Sequence, residues 1–271
     1  MKIALMDSGI GLLAAAAALW ALRPDVDLVI SNDPEGMPWG PRTPADLTER
    51  ALACARAAAA HRPDALVVAC NTASVHALAA LRAELEPELP VIGTVPAIKP
   101  AAAAGGPVAI WATPATTGSA YQRGLIRAFA DGAEVTEVPC PGLADAVERA
   151  DEAAIDAAIA AAAARTPAGL AHVVLGCTHY ELVEDRIRAA LAPTADPDLV
   201  LYGSAHAVAA QALRRVPGDG AAAGAGRSGS GELIVLENGR LGTLPPAAAH
   251  YPQGRLLLAA AAAPTPVHGG V

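Results

Sequence analysis

The sequence predicts an α/β protein of two pseudo-symmetric lobes, each a mostly parallel sheet flanked by helices, with an active site in the interlobe cleft. Three observations point there. Short β-branched apolar runs alternate with helix-like segments from Lys2 to Arg215, the pattern of parallel strands covered by helices on both faces. The alternation restarts near Pro107 with comparable order and content. Two cysteines, Cys70 in ALVVACNTAS and Cys177 in AHVVLGCTHYE, lie 107 residues apart at matching places in the two halves.

In the first half, residues 2–7 read as a strand, SGIG as a tight loop and residues 12–22 as a helix. Residues 26–31 read as the next strand, followed by the Pro/Gly-rich loop NDPEGMPWGPRTP. A helix should begin at Pro44 and run to about His61, with Thr43 as its N-cap, because proline at the first helical position loses no hydrogen bond. Residues 65–70 read as strand, 74–85 as helix and 90–95 as strand. In the second half, strands are expected at 107–113, 133–140, 171–177 and 199–203, and helices at 117–130, 143–149, 152–164, 180–191 and 205–215. Residues 217–231 read as a mobile Gly/Ala/Ser loop, ELIVLENGRLGTLP as a hairpin turning at Asn238-Gly239, and 259–271 as a frayed tail.

Composition narrows the function classes. Aromatic residues make up only 3% of the 271, so the core is expected to be built from small aliphatic side chains. A net charge of −8 without any Lys/Arg cluster argues against a nucleic-acid partner. Four cysteines without CxxC spacing suit reduced thiols in a cytoplasmic protein, and no metal ligand set is recognisable. Asp7 interrupts the apolar N-terminus, and the uninterrupted remainder is too short to span a bilayer, so no membrane association is expected.

Cys70 and Cys177 should each sit at the C-terminal tip of a buried strand, where ligands bind in open α/β sheets, and at the mouth of a helix. Helix N-termini favour negative charge on a thiol and on a bound carboxylate. Asn71 and Thr72 follow one cysteine, Thr178 and His179 the other, as short hydrogen-bond donors. Two facing thiols can take a proton from one side of a carbon and return one to the other. A pyridoxal mechanism needs a Schiff-base lysine, and Lys2 and Lys99 are poorly placed for it. No cofactor is expected. Asp7, in DSGIG, is placed to orient an ammonium group or relay a proton, and His179 to assist a thiol; nothing local singles out Glu148. Cys54 and Cys140 read as structural.

These residues closely resemble the glutamate racemases of the aspartate/glutamate racemase superfamily. The matching segments run in the family's order: DSG at 7–9, PWGPR at 38–42, ACNTAS at 69–74, VPAIKPA at 95–101, ATPAT at 112–116, CPGLADAVE at 140–148 and LGCTHY at 175–180. The resemblance implies cofactor-independent interconversion of L- and D-glutamate, supplying D-glutamate to peptidoglycan. It implies a first lobe of residues 1–98 plus 205–271 and a second of 99–204. It makes Cys70 and Cys177 the acid/base pair, assisted by Asp7, Glu148 and His179. Ser8, Asn71, Thr72, Thr113, Thr116 and Thr178, with Asp7 and His179, would bind substrate under the Trp39–Gly40 loop. A homodimer is an assembly that many members adopt.

Four positions depart from the family's common pattern: Leu12 for a glycine, Trp39 for a tyrosine, Glu181 for a proline, and Gly203 where an acidic residue often precedes Ser204. Two alternatives stay open at this stage. One is a racemase of aspartate, a hydantoin or another related amino acid; the other is a non-catalytic amino-acid-binding or regulatory protein.

Overall fold

A computed structural model describes residues 1–216 and 231–261. All but the last residue of the expected 217–231 loop, and positions 262–271 of the expected tail, lie outside the described residues. The first half forms β1 (Lys2–Asp7), α1 (Leu13–Leu22), β2 (Asp27–Asn32), α2 (Pro44–Ala59), β3 (Ala65–Val68), α3 (Asn71–His76), α4 (Leu78–Leu85) and β4 (Val91–Gly93). The second half forms α5 (Ile98–Ala103), β5 (Val108–Ala112), α6 (Ala120–Phe129), β6 (Val135–Pro139), α7 (Leu143–Glu148), α8 (Glu152–Ala163), β7 (His172–Leu175), α9 (Glu184–Leu191) and β8 (Val200–Tyr202). The chain closes with α10 (Ala205–Arg215), β9 (Leu233–Glu237), β10 (Arg240–Leu241) and α11 (Pro252–Ala261).

One sheet has the order β10-β9-β2-β1-β3-β4, the other β6-β5-β7-β8. All pairings are parallel except β9 with β10. The block β2-β1-β3-β4 therefore has the same order as β6-β5-β7-β8, and β3 and β7 occupy equivalent places. Cys70 follows one of these strands and Cys177 the other. Strands covered on both faces read as continuous apolar runs, and Ile3 to Met6 have no exposed surface. Each Leu, Ile or Val buried in this way contributes about 1.5–3 kcal/mol.

The largest apolar cluster runs through both halves, from Ile3, Leu5 and Leu19 to Trp111, Val138 and Leu175. Helix α10 packs mainly on α1, and α11 packs on α1 and on the 3-10 turn Pro246–His250 that precedes it. Thr43 caps α2 through Asp46 N as expected. Asn238 and Gly239 turn the β9–β10 hairpin with φ of 49° and 76°, the positive values a two-residue turn requires. Among the described residues no helix is long and apolar enough to cross a membrane.

Several elements differ from expectation. Strand β3 stops at Val68, and α3 begins at Asn71 rather than Ser74, because the Cys70 carbonyl already accepts from Ser74 N at 2.9 Å. The expected 74–85 helix is divided at Ala77 into α3 and α4. Residues 178–183 form a 3-10 turn ahead of α9, so the helix expected from Tyr180 begins at Glu184. Helices α5 and α11 were not legible: Pro100 in the first turn masks α5, where proline is tolerated, and α11 lies in an Ala/Leu run that carries no cap signal.

Candidate active site

The carboxyl ends of β1, β3, β5, β6 and β7 open into one cleft of about 340 Å³, the small end of the range for ligand pockets. The residues expected to act on or bind substrate all line it: Asp7 and Ser8 after β1, Trp39 and Gly40 in the loop after β2, and Cys70, Asn71 and Thr72 after β3. From the other half come Thr113 and Thr116 after β5, Glu148 at the end of α7, and Cys177, Thr178 and His179 after β7. Cys140, read as structural, also lines the cleft. Its thiol is buried and pushed up to about 12 by that burial. Neither lysine reaches the cleft: Lys2 Nζ donates to His61 O, and Lys99 borders a separate groove.

The two thiols differ in surroundings. Cys70 is buried, and burial followed by the Asp7 charge raises its pKa well above the ordinary thiol value. Its side chain is hydrogen-bonded to Asp7. Cys177 is half-buried, with its Sγ 3.8 Å from His179 Nδ1. His179 Nε2 lies 2.7 Å from Glu148 Oε2. Burial opposes charge on this imidazole, but the bonds to Cys177 and Glu148 prevail and hold its pKa well above the ordinary histidine value. Among the described residues that line the cleft, His179 is the basic side chain. An imidazole held there with a raised pKa favours negative charge on the neighbouring sulfur.

One network joins both sides. Thr178 Oγ1 donates to Asp7 Oδ2 at 3.4 Å, Ser8 N donates to Asp7 Oδ1 at 2.7 Å, and Ile10 N donates to Glu148 Oε2 at 2.9 Å. Asn71 Nδ2 donates across to Gly176 O at 2.9 Å, while its buried Oδ1 has no protein partner. Such an orphan acceptor is rare in a folded protein and suits a ligand N–H. Thr113 and Thr116 pair through their hydroxyls at 3.2 Å.

The glycines of DSGIG have a packing reason. A Cβ at Gly9 would lie 2.1 Å from Glu148 Oε2, and one at Gly11 would lie 2.5 Å from Asp7 Oδ2. Both exist so that backbone and carboxylates can approach. The loop after β2 is organised by Asp33, which sequence reasoning passed over. It accepts from Gly36 N at 3.0 Å, from Trp39 Nε1 at 2.8 Å and from Arg50 at 3.2 Å. Asp followed three residues later by Gly was the available signal. Trp39 is only 1% exposed, so its indole N–H is committed to Asp33 and closed to a ligand.

Asp7 makes stability depend on pH. Burial raises its pKa to about 6, against the opposing influence of His179. For a carboxyl raised in the folded state, the stabilising protonated form is fully present below the unfolded value and is lost as pH rises through about 6. Between pH 4 and 7 the wild type should therefore lose roughly 2.4 kcal/mol relative to Asp7→Asn. Urea unfolding of both proteins across this range measures the difference; parallel curves would contradict it.

Fold and cleft together define a two-lobed α/β protein whose two halves each present one strand-tip thiol to a shared cleft. The profile of the Asp/Glu/Hydantoin racemase family matches residues 11–212. A glutamate racemase of Roseiflexus sp. (strain RS-1) is 40% identical over 215 residues, 76% of each chain. One from Pseudomonas putida (strain W619) is 35% identical over 246 residues, 87% of this chain and 91% of the relative. The crystal structure of Escherichia coli glutamate racemase in complex with L-glutamate and the activator UDP-MurNAc-ala superposes with a TM-score of 0.76 at 26% identity. That match covers 95% of this chain and 94% of the other. The chain belongs to the Asp/Glu/hydantoin racemase family.

Proposed function

We propose that this protein is an enzyme that interconverts L- and D-glutamate by two-base proton transfer, with Cys70 and Cys177 on opposite faces of the substrate Cα. The observation that carries the reading is the placement of these thiols after the equivalent strands β3 and β7, each lining the same cleft with its own acid/base partner. One sulfur removes the Cα proton and the other delivers a proton to the opposite face. By the family's pattern, Cys70 acts on D-glutamate and Cys177 on L-glutamate. Asp7 serves the Cys70 side, and His179 with Glu148 the Cys177 side. Close, dry placement of the bases and of donors toward the developing carbanion lowers the barrier.

Among the described residues no Lys or Arg lines the cleft. Substrate carboxylates would be held by neutral donors: the hydroxyls of Ser8, Thr72, Thr113, Thr116 and Thr178 and the N–H groups that open α3 and the 178–183 turn. Asn71 Oδ1 would take the substrate ammonium, and the Trp39–Gly40 loop would cover the site. The two lobes are drawn at 1–98 with 205–271, and at 99–204. No cofactor is required by this scheme. Thiols that must stay reduced suit a cytoplasmic enzyme, and its D-glutamate would supply peptidoglycan. A homodimer is proposed from the family alone.

The test is incubation of enantiopure L- or D-glutamate with the protein in deuterium oxide, with no cofactor added. Optical activity should decay to zero from either side while deuterium enters at Cα. Intact, folded protein that gives no exchange would sink the reading. Calorimetric binding of glutamate without turnover would favour a binding protein, and faster turnover of aspartate would redirect the substrate.

A further inference from the structure

We propose that Glu181 is a positioning residue for the Cys177 side of the site, and that Gly203 is its steric counterpart. The proposal rests on the racemase reading for its kinetic part only. Glu181 belongs to the 3-10 turn Thr178–Val183, whose six residues are all buried. Thr178 and His179 occupy the start of that turn, directly after Cys177. Its carboxylate leaves the turn and reaches the start of α10, an element that packs on α1. Oε1 accepts from Ser204 N and from Ser204 Oγ, both at 2.8 Å, and Oε2 accepts from Ala205 N at 3.1 Å.

The same residue is held through its backbone as well. Gln253 Nε2, on α11, donates to the Glu181 carbonyl at 3.5 Å. One residue earlier, Tyr180 OH donates to the Cys140 carbonyl at 3.4 Å. The turn that places His179 between Cys177 and Glu148 is thus anchored by the hydrogen bonds that Tyr180 and Gln253 donate and that the Glu181 carboxylate accepts. The Glu181 side chain supplies the anchor with the most bonds. Removing it leaves two N–H groups and a hydroxyl without their acceptor in a buried place, and the turn loses its link to α10.

Gly203 makes room for this link. A Cβ built there would lie 2.5 Å from Glu181 Oε2 and 2.8 Å from its Cδ, closer than real atoms approach. The carboxylate would have to leave its place. Glu181 and Gly203 are therefore one device: the glycine vacates the volume that the carboxylate occupies. A substitution at either position should produce the same defect, a His179 that is no longer fixed against Cys177 and Glu148.

The closing experiment compares Glu181→Ala, Glu181→Gln, Gly203→Ala and the Glu181→Ala/Gly203→Ala double variant in the full chain. Glu181→Ala and Gly203→Ala should each lower kcat about 10- to 100-fold, the scale of a small misplacement of reacting groups. The double variant should be no slower than the worse single one, because the second change removes nothing further. Glu181→Gln keeps one acceptor and should fall between. The primary isotope effects of Cα-deuterated L- and D-glutamate on kcat/KM should become unequal, larger for the enantiomer that Cys177 deprotonates. Loss of folded protein alone leaves both effects at their wild-type values.

A second readout needs no turnover. Cys177 is the one half-buried cysteine of the four, so the pH profile of its alkylation by iodoacetamide reports how His179 sits beside it. That profile should shift in all three single variants. Wild-type kcat and isotope effects in Glu181→Ala, additive losses in the double variant, or an unchanged alkylation profile would each overturn the proposal. A wild type without racemisation would instead defeat the functional reading, and the alkylation profile would still decide the role of Glu181. Should Glu181→Ala fail to fold, Glu181→Gln and Gly203→Ala carry the same comparison.

Discussion

Replacing either Cys70 or Cys177 with alanine should lower racemisation by about 10²- to 10⁴-fold, the range of a positioned acid or base. With one thiol left, a proton can leave Cα and return only to the face it came from. Inversion then requires water to reach a buried site. The two losses should be similar in kcat/KM, because both variants lack one half of the same transfer. Fold should survive, since removing one sulfur from a half-buried or buried strand tip costs far less than the stability of a domain. Cys54→Ala serves as the control: its thiol sits inside α2, and burial pushes it up to about 12. Polarimetry with each enantiomer, together with thermal unfolding, measures all three. A single cysteine variant that keeps full activity would end the two-base scheme.

Gly11→Ala should be nearly as severe for a different reason. The added methyl would lie 2.4 Å from Thr178 Oγ1, 2.5 Å from Asp7 Oδ2 and 2.7 Å from His179 Nδ1. These three atoms come from both lobes, so no single side chain can swing away to relieve the clash. Overpacking of this kind costs about 1–3 kcal/mol of stability. Displacing Asp7 and His179 by even 1 Å should cost about 100-fold in kcat. Gly124→Ala gives the contrast. Gly124 is on α6 with φ outside the left-handed region, and the nearest neighbour of a new Cβ is Arg127 at 4.0 Å. It should leave activity unchanged and stabilise the helix by about 0.5–1 kcal/mol. Melting temperature and kcat of the two variants test the pair; an active, stable Gly11→Ala protein would mean that the backbone here is not held by the cleft network.

Local chemistry was enough for the order of the elements, the parallel strands and the two strand-tip thiols. Period-two and period-3.6 patterns are properties of neighbouring residues, and Thr43-Pro44 and Asn238-Gly239 carry their geometry within two positions. The same locality explains the failures. Pro100 in α5 resembles a breaker, and the Ala/Leu run of α11 packs against α1, an element more than two hundred residues away.

The sequence by itself determined the alternating fold, its internal duplication and the pair Cys70 and Cys177. Only the tertiary structure decided how the polar groups around them are shared. Read along the chain, Asp7 belongs to one half and Glu148 with His179 to the other. In space, Thr178 donates to Asp7, Ile10 donates to Glu148, and Glu181 reaches across to Ser204 and Ala205. Hydrogen bonds and desolvation act over a few ångströms, and these partners are 138 and 171 residues apart in the two longest cases. No pattern of neighbouring residues encodes such a contact. The raised pKa values of His179 and Cys70 are therefore products of folding.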